Sequence, residues 1–110
     1  MIKLQHNIMK DGIVNAAITQ TDLTPIIPIG KKVLLKRFGG CAGENAGFCA
    51  IQFGDNAGGW ITIRALTGTY EFLVGTEFIG DGVKRFRIIR QNDSTAAKYM
   101  SAYLEALVLN

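Results

Sequence analysis

Turn-forming residues divide the chain from Lys31 onward into short runs of strand length. Glycine accounts for 13 of the 110 residues, well above the average share of about 7%. The glycine-rich turns lie at residues 39–40, 54–59 and 80–82. Trp60–Ala65 alternates with period two, which places Ile61 and Ile63 on a predicted inner face. Strands at this spacing are typical of an all-β domain, either a sandwich or a closed sheet.

The chain's charge is most concentrated in the strand-like run 84–90, which lies between two turns. Alternation along this run places Phe86 and Ile88 on the core side. Arg85 and Arg87 then project outward side by side. Two adjacent guanidinium groups favour carboxylate partners, because arginine binds a carboxylate through paired hydrogen bonds.

The carboxylates that pair with these arginines have two candidate sources. Glu71 and Glu105 occupy outward positions in neighbouring predicted strands, so cross-strand pairs within the chain are one source. An acidic surface on another protein is the other. The net charge of +3 is too small to indicate nucleic acid. We therefore expect Arg85, Arg87 and Arg90 to make polar contacts with a protein partner.

Residues 1–30 contain both prolines, Pro25 and Pro28, and no aromatic residue. Proline fixes φ and lacks an N–H for a sheet ladder, so this part is extended and lies at an edge or crosses between elements. It is either an extended N-terminal arm that docks on a neighbour or an edge strand. The residues expected to dock in the first case are Ile26, Ile27 and Ile29. The predicted division is residues 1–30 as arm or edge strand and 31–110 as the sandwich domain.

Residues 94–109 fit a helix by composition and a strand by periodicity. Read with period two, Met100, Ala102 and Leu104 share one apolar face, which Ala106 continues. We favour a strand because propensity is a weak guide and the rest of the chain reads as β. This strand is expected to pair antiparallel with the basic run through a turn at residues 92–95.

The composition is unusually apolar for a domain of this size. Charged residues make up 19% of the chain and hydrophobic residues 48%, whereas charged residues average about 25% in soluble domains. A small single domain has a high ratio of surface to volume and should need more charge. Burial of part of the surface against other chains reconciles the two facts, so we expect an oligomer.

The sequence offers no constellation for catalysis, for a metal or for a cofactor. His6 is the single histidine and has no nucleophile near it in sequence. Cys41 and Cys49 flank a glycine-rich loop, where they are either joined in a disulfide or present as two thiols. Asp55 and Asn56 suit a turn better than a calcium site. We expect no enzymatic activity.

The chain also lacks the hydrophobic segments that direct proteins to membranes. It has no run of about 18 apolar residues. The N-terminus shows no basic stretch leading into an apolar segment and a cleavage site. We expect a soluble protein that is made inside the cell and has no membrane partner.

The run Gly75–Ile88, followed by Asn92-Asp93-Ser94 and a terminal strand rich in small residues, resembles small virion proteins of tailed bacteriophages. The similarity covers mainly residues 60–109. The resemblance implies a jelly-roll sandwich of about eight strands. It also implies a homotrimer that decorates or cements the capsid by binding the major capsid protein. The chain would then lie on the capsid surface after synthesis in the host cytoplasm.

An alternative within the same resemblance is a receptor- or carbohydrate-binding module of a phage tail. Such modules use exposed aromatic rings to stack on sugars, and the candidates here are Trp60, Tyr99 and Tyr103. Trp60 follows two glycines at the start of a strand, where it could be exposed, although a structural role suits a single tryptophan better.

Overall fold

The computed structural model describes residues 2–42 and 47–109, with side chains from Met9 onward. All regular elements in these ranges are strands, which confirms the predicted all-β class. The strands are β1 (Ile2–Val14), β2 (Thr19–Leu23), β3 (Lys32–Cys41), β4 (Gly47–Asp55), β5 (Gly59–Leu66), β6 (Thr69–Ile79), β7 (Arg85–Asn92) and β8 (Lys98–Leu109).

The eight strands form two antiparallel sheets of four. Sheet I has the order β1-β8-β3-β6 and sheet II the order β2-β7-β4-β5. Only β4 and β5 are both consecutive in sequence and paired, so the other connections cross from one sheet to the other. This arrangement is an eight-stranded jelly roll, and it confirms the predicted sandwich.

The core lies between the two sheets and is filled from their alternating inner faces. Met100, Ala102 and Leu104 of β8 are almost fully buried, as alternation predicts. Phe86 of β7 lies at the centre of an aromatic cluster, with ring centroids 5.0 Å from those of Phe53 and Phe78. Truncation of such a buried ring costs about 3–5 kcal/mol.

The last strand is predicted correctly, but its predicted partner is wrong. β8 pairs with β1 on one side and β3 on the other, whereas β7 lies in the opposite sheet. Asn92 is fully buried and holds the connection, since its Nδ2 donates to the carbonyl oxygens of Val14 (2.8 Å) and Ala96 (2.9 Å). The segment 93–97 therefore crosses between sheets and does not close a hairpin.

Residues 2–30 supply an outer strand to each sheet and a connecting segment. β1 and β2 are the outer strands of sheets I and II. Beyond them, Thr24 donates its backbone N–H to the carbonyl oxygen of Phe86 at 3.0 Å, and Ile27 does the same to Lys84. These bonds hold the proline-bearing segment against the connection between β6 and β7.

The predicted inner face of β5 is correct only in part. Ile63 packs against the core, whereas Ile61 is 71% exposed. β5 is an outer strand of sheet II, and its pairing with β4 shifts register between Ile51 and Gln52. The sheet therefore does not cover the end of β5 that carries Ile61.

Candidate interaction surface

The outer face of sheet II carries a connected row of polar and aromatic side chains. Arg87 donates from Nε to Oε1 of Gln52 at 2.6 Å, and Nε2 of Gln52 donates to Oγ1 of Thr62 at 2.9 Å. The Arg87 guanidinium lies 4.1 Å from the centroid of the Trp60 ring. Burial lowers the pKa of Arg87 from its ordinary value, but an arginine stays protonated at neutral pH. This row therefore presents one fixed positive charge.

A cleft opens at the end of sheet II where three connections meet, namely residues 24–31, 56–58 and 80–84. It has a volume of about 310 Å³. We call it the end cleft, and its lining residues are Leu23, Ile26, Asp55, Asn56, Ala57, Trp60, Val83 and Arg85. The end cleft thus brings together Ile26 and Arg85, both predicted from sequence as partner-binding residues, with Trp60.

Arg85 and Arg87 have no carboxylate partner among the described residues, whose ion pairs all involve other cations. Of the two candidate sources of carboxylates, the cross-strand pairs with Glu71 and Glu105 are excluded. Both glutamates lie in sheet I, on the opposite side of the sandwich from the outer face of sheet II. Their partner there is Arg37, at 3.7 Å and 3.4 Å respectively.

Two of the residues expected to contact a partner lie inside the chain. Ile27 is fully buried and packs in the core. Arg90 is 8% exposed, donates to the carbonyl oxygen of Met100 at 3.2 Å, and lies 3.5 Å from a carboxylate oxygen of Asp22. Residue 90 shares its side of β7 with Phe86, so alternation turns it inward. These two positions are corrected to structural roles.

Exposed apolar side chains surround the end cleft. Leu23, Ile26 and Val83 line it and are partly exposed, whereas Ile29, the third isoleucine expected to dock, is 78% exposed but is not among the lining residues. Val83 is positioned by Asp81, whose Oδ1 accepts hydrogen bonds from the backbone N–H groups of residues 83 (2.9 Å) and 84 (2.8 Å). These bonds lower the pKa of Asp81. The rim of the cleft is therefore apolar and locally ordered.

A second surface, on the outer face of sheet I, was predicted from the sequence only in part, through Tyr103. It contains a hollow of about 380 Å³. The residues that line the hollow are Met9, Gly40, Cys41, Thr69, Tyr70, Glu71, Ser101 and Tyr103. Alternation in β8 identifies Tyr99 and Tyr103 as outward residues, but the neighbouring Met9 depends on the pairing of β1 with β8. The hydroxyl of Tyr99 donates to Oδ2 of Asp11 at 2.9 Å, and this hydrogen bond raises the pKa of Tyr99.

The side chains considered for catalysis or metal binding serve structural roles where the structure describes them. No cluster of three or more His, Cys, Asp or Glu side chains that could hold a metal occurs in the described part of the chain. Oδ1 of Asp55 accepts hydrogen bonds from the backbone N–H groups of Ala57 (2.8 Å) and Gly58 (2.5 Å). This pattern is that of a turn. The side chain of His6 lies outside the described residues.

Cys41 and Cys49 are thiols and are not joined as a disulfide. Cys49 is fully buried, and its Sγ donates to the carbonyl oxygen of Ser101 at 3.6 Å. Burial raises the pKa of Cys49 to about 11, so this thiol is a poor nucleophile at neutral pH.

Within residues 2–42 and 47–109, no helix has the length and apolarity needed to cross a membrane.

Comparison with known proteins relates the chain to others by fold alone. No protein-family model and no curated protein matches the sequence. Among solved structures, a chain of Sulfolobus turreted icosahedral virus is similar, with a TM-score of 0.69 and 10% identity over 98% of this chain and 30% of that chain. A chain from an archaeal virus described by a triple jelly-roll fold and a turret assembly has a TM-score of 0.67 and 10% identity over 98% and 29%.

A third similar structure is a chain of the capsid asymmetric unit of cyanophage Pam1. Its TM-score is 0.51 and its identity 14%, over 96% of this chain and 82% of that chain. This protein spans only about three-tenths of the length of the first two chains. At these identities the likeness establishes the fold, which is a jelly roll shared with proteins of viral capsids.

Proposed function

We propose that this chain is a structural protein of a virion that decorates or cements a capsid through protein–protein contacts. The observation that carries the proposal is the jelly roll, which matches a virus chain over 98% of this sequence with a TM-score of 0.69. The chain from the archaeal virus described by a triple jelly-roll fold is matched over 29% of its length. The partner in this proposal is the major capsid protein, and the location is the capsid surface.

The distribution of exposed apolar side chains supports a binding role. Leu23, Ile26 and Val83 are 50%, 41% and 52% exposed and line the end cleft together. Met9 and Tyr70 are 74% and 57% exposed and line the hollow on the outer face of sheet I. Apolar side chains that are grouped on a small domain mark contact surfaces. Neither an enzymatic activity nor a nucleic-acid partner is part of the proposal.

We also propose a homotrimer as the assembled form. A ring of identical subunits needs two different patches on each copy, since the contact is head-to-tail. The hollow on the outer face of sheet I and the exposed edge of β6 at Leu73 are two such patches. Light scattering should give a native mass three times that of the 12.0 kDa chain. A particle of one chain mass at all concentrations would contradict the trimer.

Co-sedimentation with empty capsids tests the virion role. The wild-type chain should pellet with the shells and saturate at a fixed number of copies per shell. Recovery of all the chain in the supernatant, at concentrations where it remains folded, would refute the proposal.

The second candidate is a carbohydrate-binding module of a phage tail, which the place of Trp60 in the end cleft favours. The Arg87 guanidinium covers part of the indole, 4.1 Å from its centroid, and leaves less ring for stacking. A glycan array separates the candidates: sugar binding that Trp60→Ala abolishes would favour the tail module.

A further inference from the structure

The end cleft combines an apolar rim with one unpaired cation. Leu23, Ile26 and Val83 are 50%, 41% and 52% exposed around it. Arg85 is half-buried, and its one hydrogen bond in the described structure is from Nη1 to the carbonyl oxygen of Thr24, at 3.4 Å. A guanidinium has five N–H donors. Most of the donor capacity of Arg85 is therefore available to a ligand.

The acidic groups near Arg85 are already engaged by their own turns. Oδ1 of Asp55 accepts the backbone N–H groups of residues 57 and 58. Oδ1 of Asp81 accepts those of residues 83 and 84. Neither carboxylate lies within 4.0 Å of an Arg85 nitrogen, since no such ion pair occurs in the described residues. Within the described residues the chain thus gives Arg85 no ion-pair partner.

We propose that the end cleft binds a segment of a partner protein in which an Asp or Glu stands next to a large apolar residue. The carboxylate pairs with the guanidinium of Arg85, and the apolar side chain packs among Leu23, Ile26 and Val83. Charge complementarity identifies the acidic group, because a half-buried arginine without a partner gains most from a carboxylate. The inference rests on the proposed function, which supplies a protein partner.

Trp60 gives a direct signal for this binding, because it is the single tryptophan and lines the cleft. The probe is the blocked peptide acetyl-Ile-Glu-Leu-Asp-amide, and its uncharged match is acetyl-Ile-Gln-Leu-Asn-amide. We expect a saturable change in tryptophan fluorescence with the acidic peptide and at least about tenfold weaker binding of the uncharged one, since a charged hydrogen-bonded pair is lost.

Substitution separates the role of Arg85 from that of charge in general. Arg85→Gln should weaken binding of the acidic peptide at least about tenfold, to the level of the uncharged peptide. Arg64→Gln is the matched control, because Arg64 also lies in sheet II without a carboxylate partner but outside the cleft. It should leave the affinity unchanged. Equal thermal unfolding of both variants and wild type verifies the fold.

Three results would overturn the inference: no response to the acidic peptide at millimolar concentration, equal affinity for both peptides, or unchanged affinity in Arg85→Gln. Saturation by a neutral oligosaccharide alone would assign the cleft to sugars. If the tryptophan fluorescence changes with protein concentration when no peptide is present, the end cleft would be assigned to a second copy of this chain. Either result refutes the acidic segment.

The failure of this inference can be distinguished from failure of the proposed function. If Arg85→Gln pellets with empty capsids as wild type does and the peptide fails to bind, the cleft proposal falls and the virion role stands. If the acidic peptide binds but the wild-type chain does not pellet with empty capsids, the cleft proposal stands and the virion role falls.

Discussion

The guanidinium of Arg87 stacks on the indole of Trp60, with 4.1 Å between the guanidinium carbon and the ring centroid. The two residues come from β7 and β5, which are separated by β4. Opposite Trp60, β4 carries Gly54, which has no side chain to intervene. This contact links the basic strand to the single tryptophan and braces one wall of the end cleft.

Replacement of Arg87 by alanine should lower the free energy of unfolding by about 0.5–2 kcal/mol, because the cation–π contact and the bond to Gln52 are lost. The emission of Trp60 should shift to longer wavelength as the ring gains water. Urea unfolding followed by fluorescence measures both effects. Arg64→Ala is the control: Arg64 lies 5.9 Å from the Phe72 centroid and is exposed, so its loss should cost less. Equal stabilities of the two variants would refute the stacking role.

Asn92→Ala should destabilise the fold by about 2–4 kcal/mol, because it removes the side-chain donor to the carbonyl oxygen of Val14 and the side-chain acceptor of the Ser94 backbone N–H. Asn92 is fully buried, so water cannot readily replace the lost amide. Asn15→Ala is the matched control at an exposed position and should stay within about 0.5 kcal/mol of wild type. Chemical unfolding of both variants provides the comparison, and similar stabilities would contradict this account of the crossing between sheets.

Stability should fall at high pH partly through Cys49. Burial raises the pKa of this thiol from 9.0 to about 11, so the folded state keeps the proton to a higher pH than the unfolded chain does. The contribution is fully present below pH 9 and is lost as pH rises through about 11. The fall should be about 2–3 kcal/mol larger in wild type than in Cys49→Ala. Identical pH profiles of the two proteins would exclude Cys49 as the cause.

Period-two alternation predicted the buried faces of β7 and β8 because burial depends on which side of a strand a residue occupies. It predicted Phe86 and Met100 as core residues, whereas Arg90, which was expected to contact a partner, lies on the same side of β7 as Phe86 and is buried. It could not identify neighbouring strands, since a jelly roll pairs strands that are distant in sequence. The pairing of Glu71 and Glu105 with the arginines, which the sequence left open as one of two sources, is excluded for that reason.

Glycine at residues 39–40 was misread for a different physical reason. The pair predicts a turn, yet β3 continues through it to Cys41. A Cβ at Gly39 would lie 2.6 Å from Oη of Tyr103, so the glycine makes room for a side chain of the neighbouring strand. A requirement of that kind depends on tertiary packing and leaves no local signal in the sequence.

The end cleft could be predicted only as separate parts. Ile26, Trp60 and Arg85 each had a reason to be noticed from sequence. Their convergence depends on three connections that meet at one end of the sandwich. The burial of Ile27 between two exposed isoleucines likewise follows from its backbone bond to residue 84, which turns its side chain into the core.

The thermal stability of empty capsid shells, measured with and without added chain, tests the central claim most directly. A protein that binds the assembled shell and not its dissociated subunits stabilises the shell by mass action. We predict that the temperature of shell disruption rises with chain concentration and levels off when the sites are full. An unchanged disruption temperature at saturating chain would contradict a decorating or cementing role.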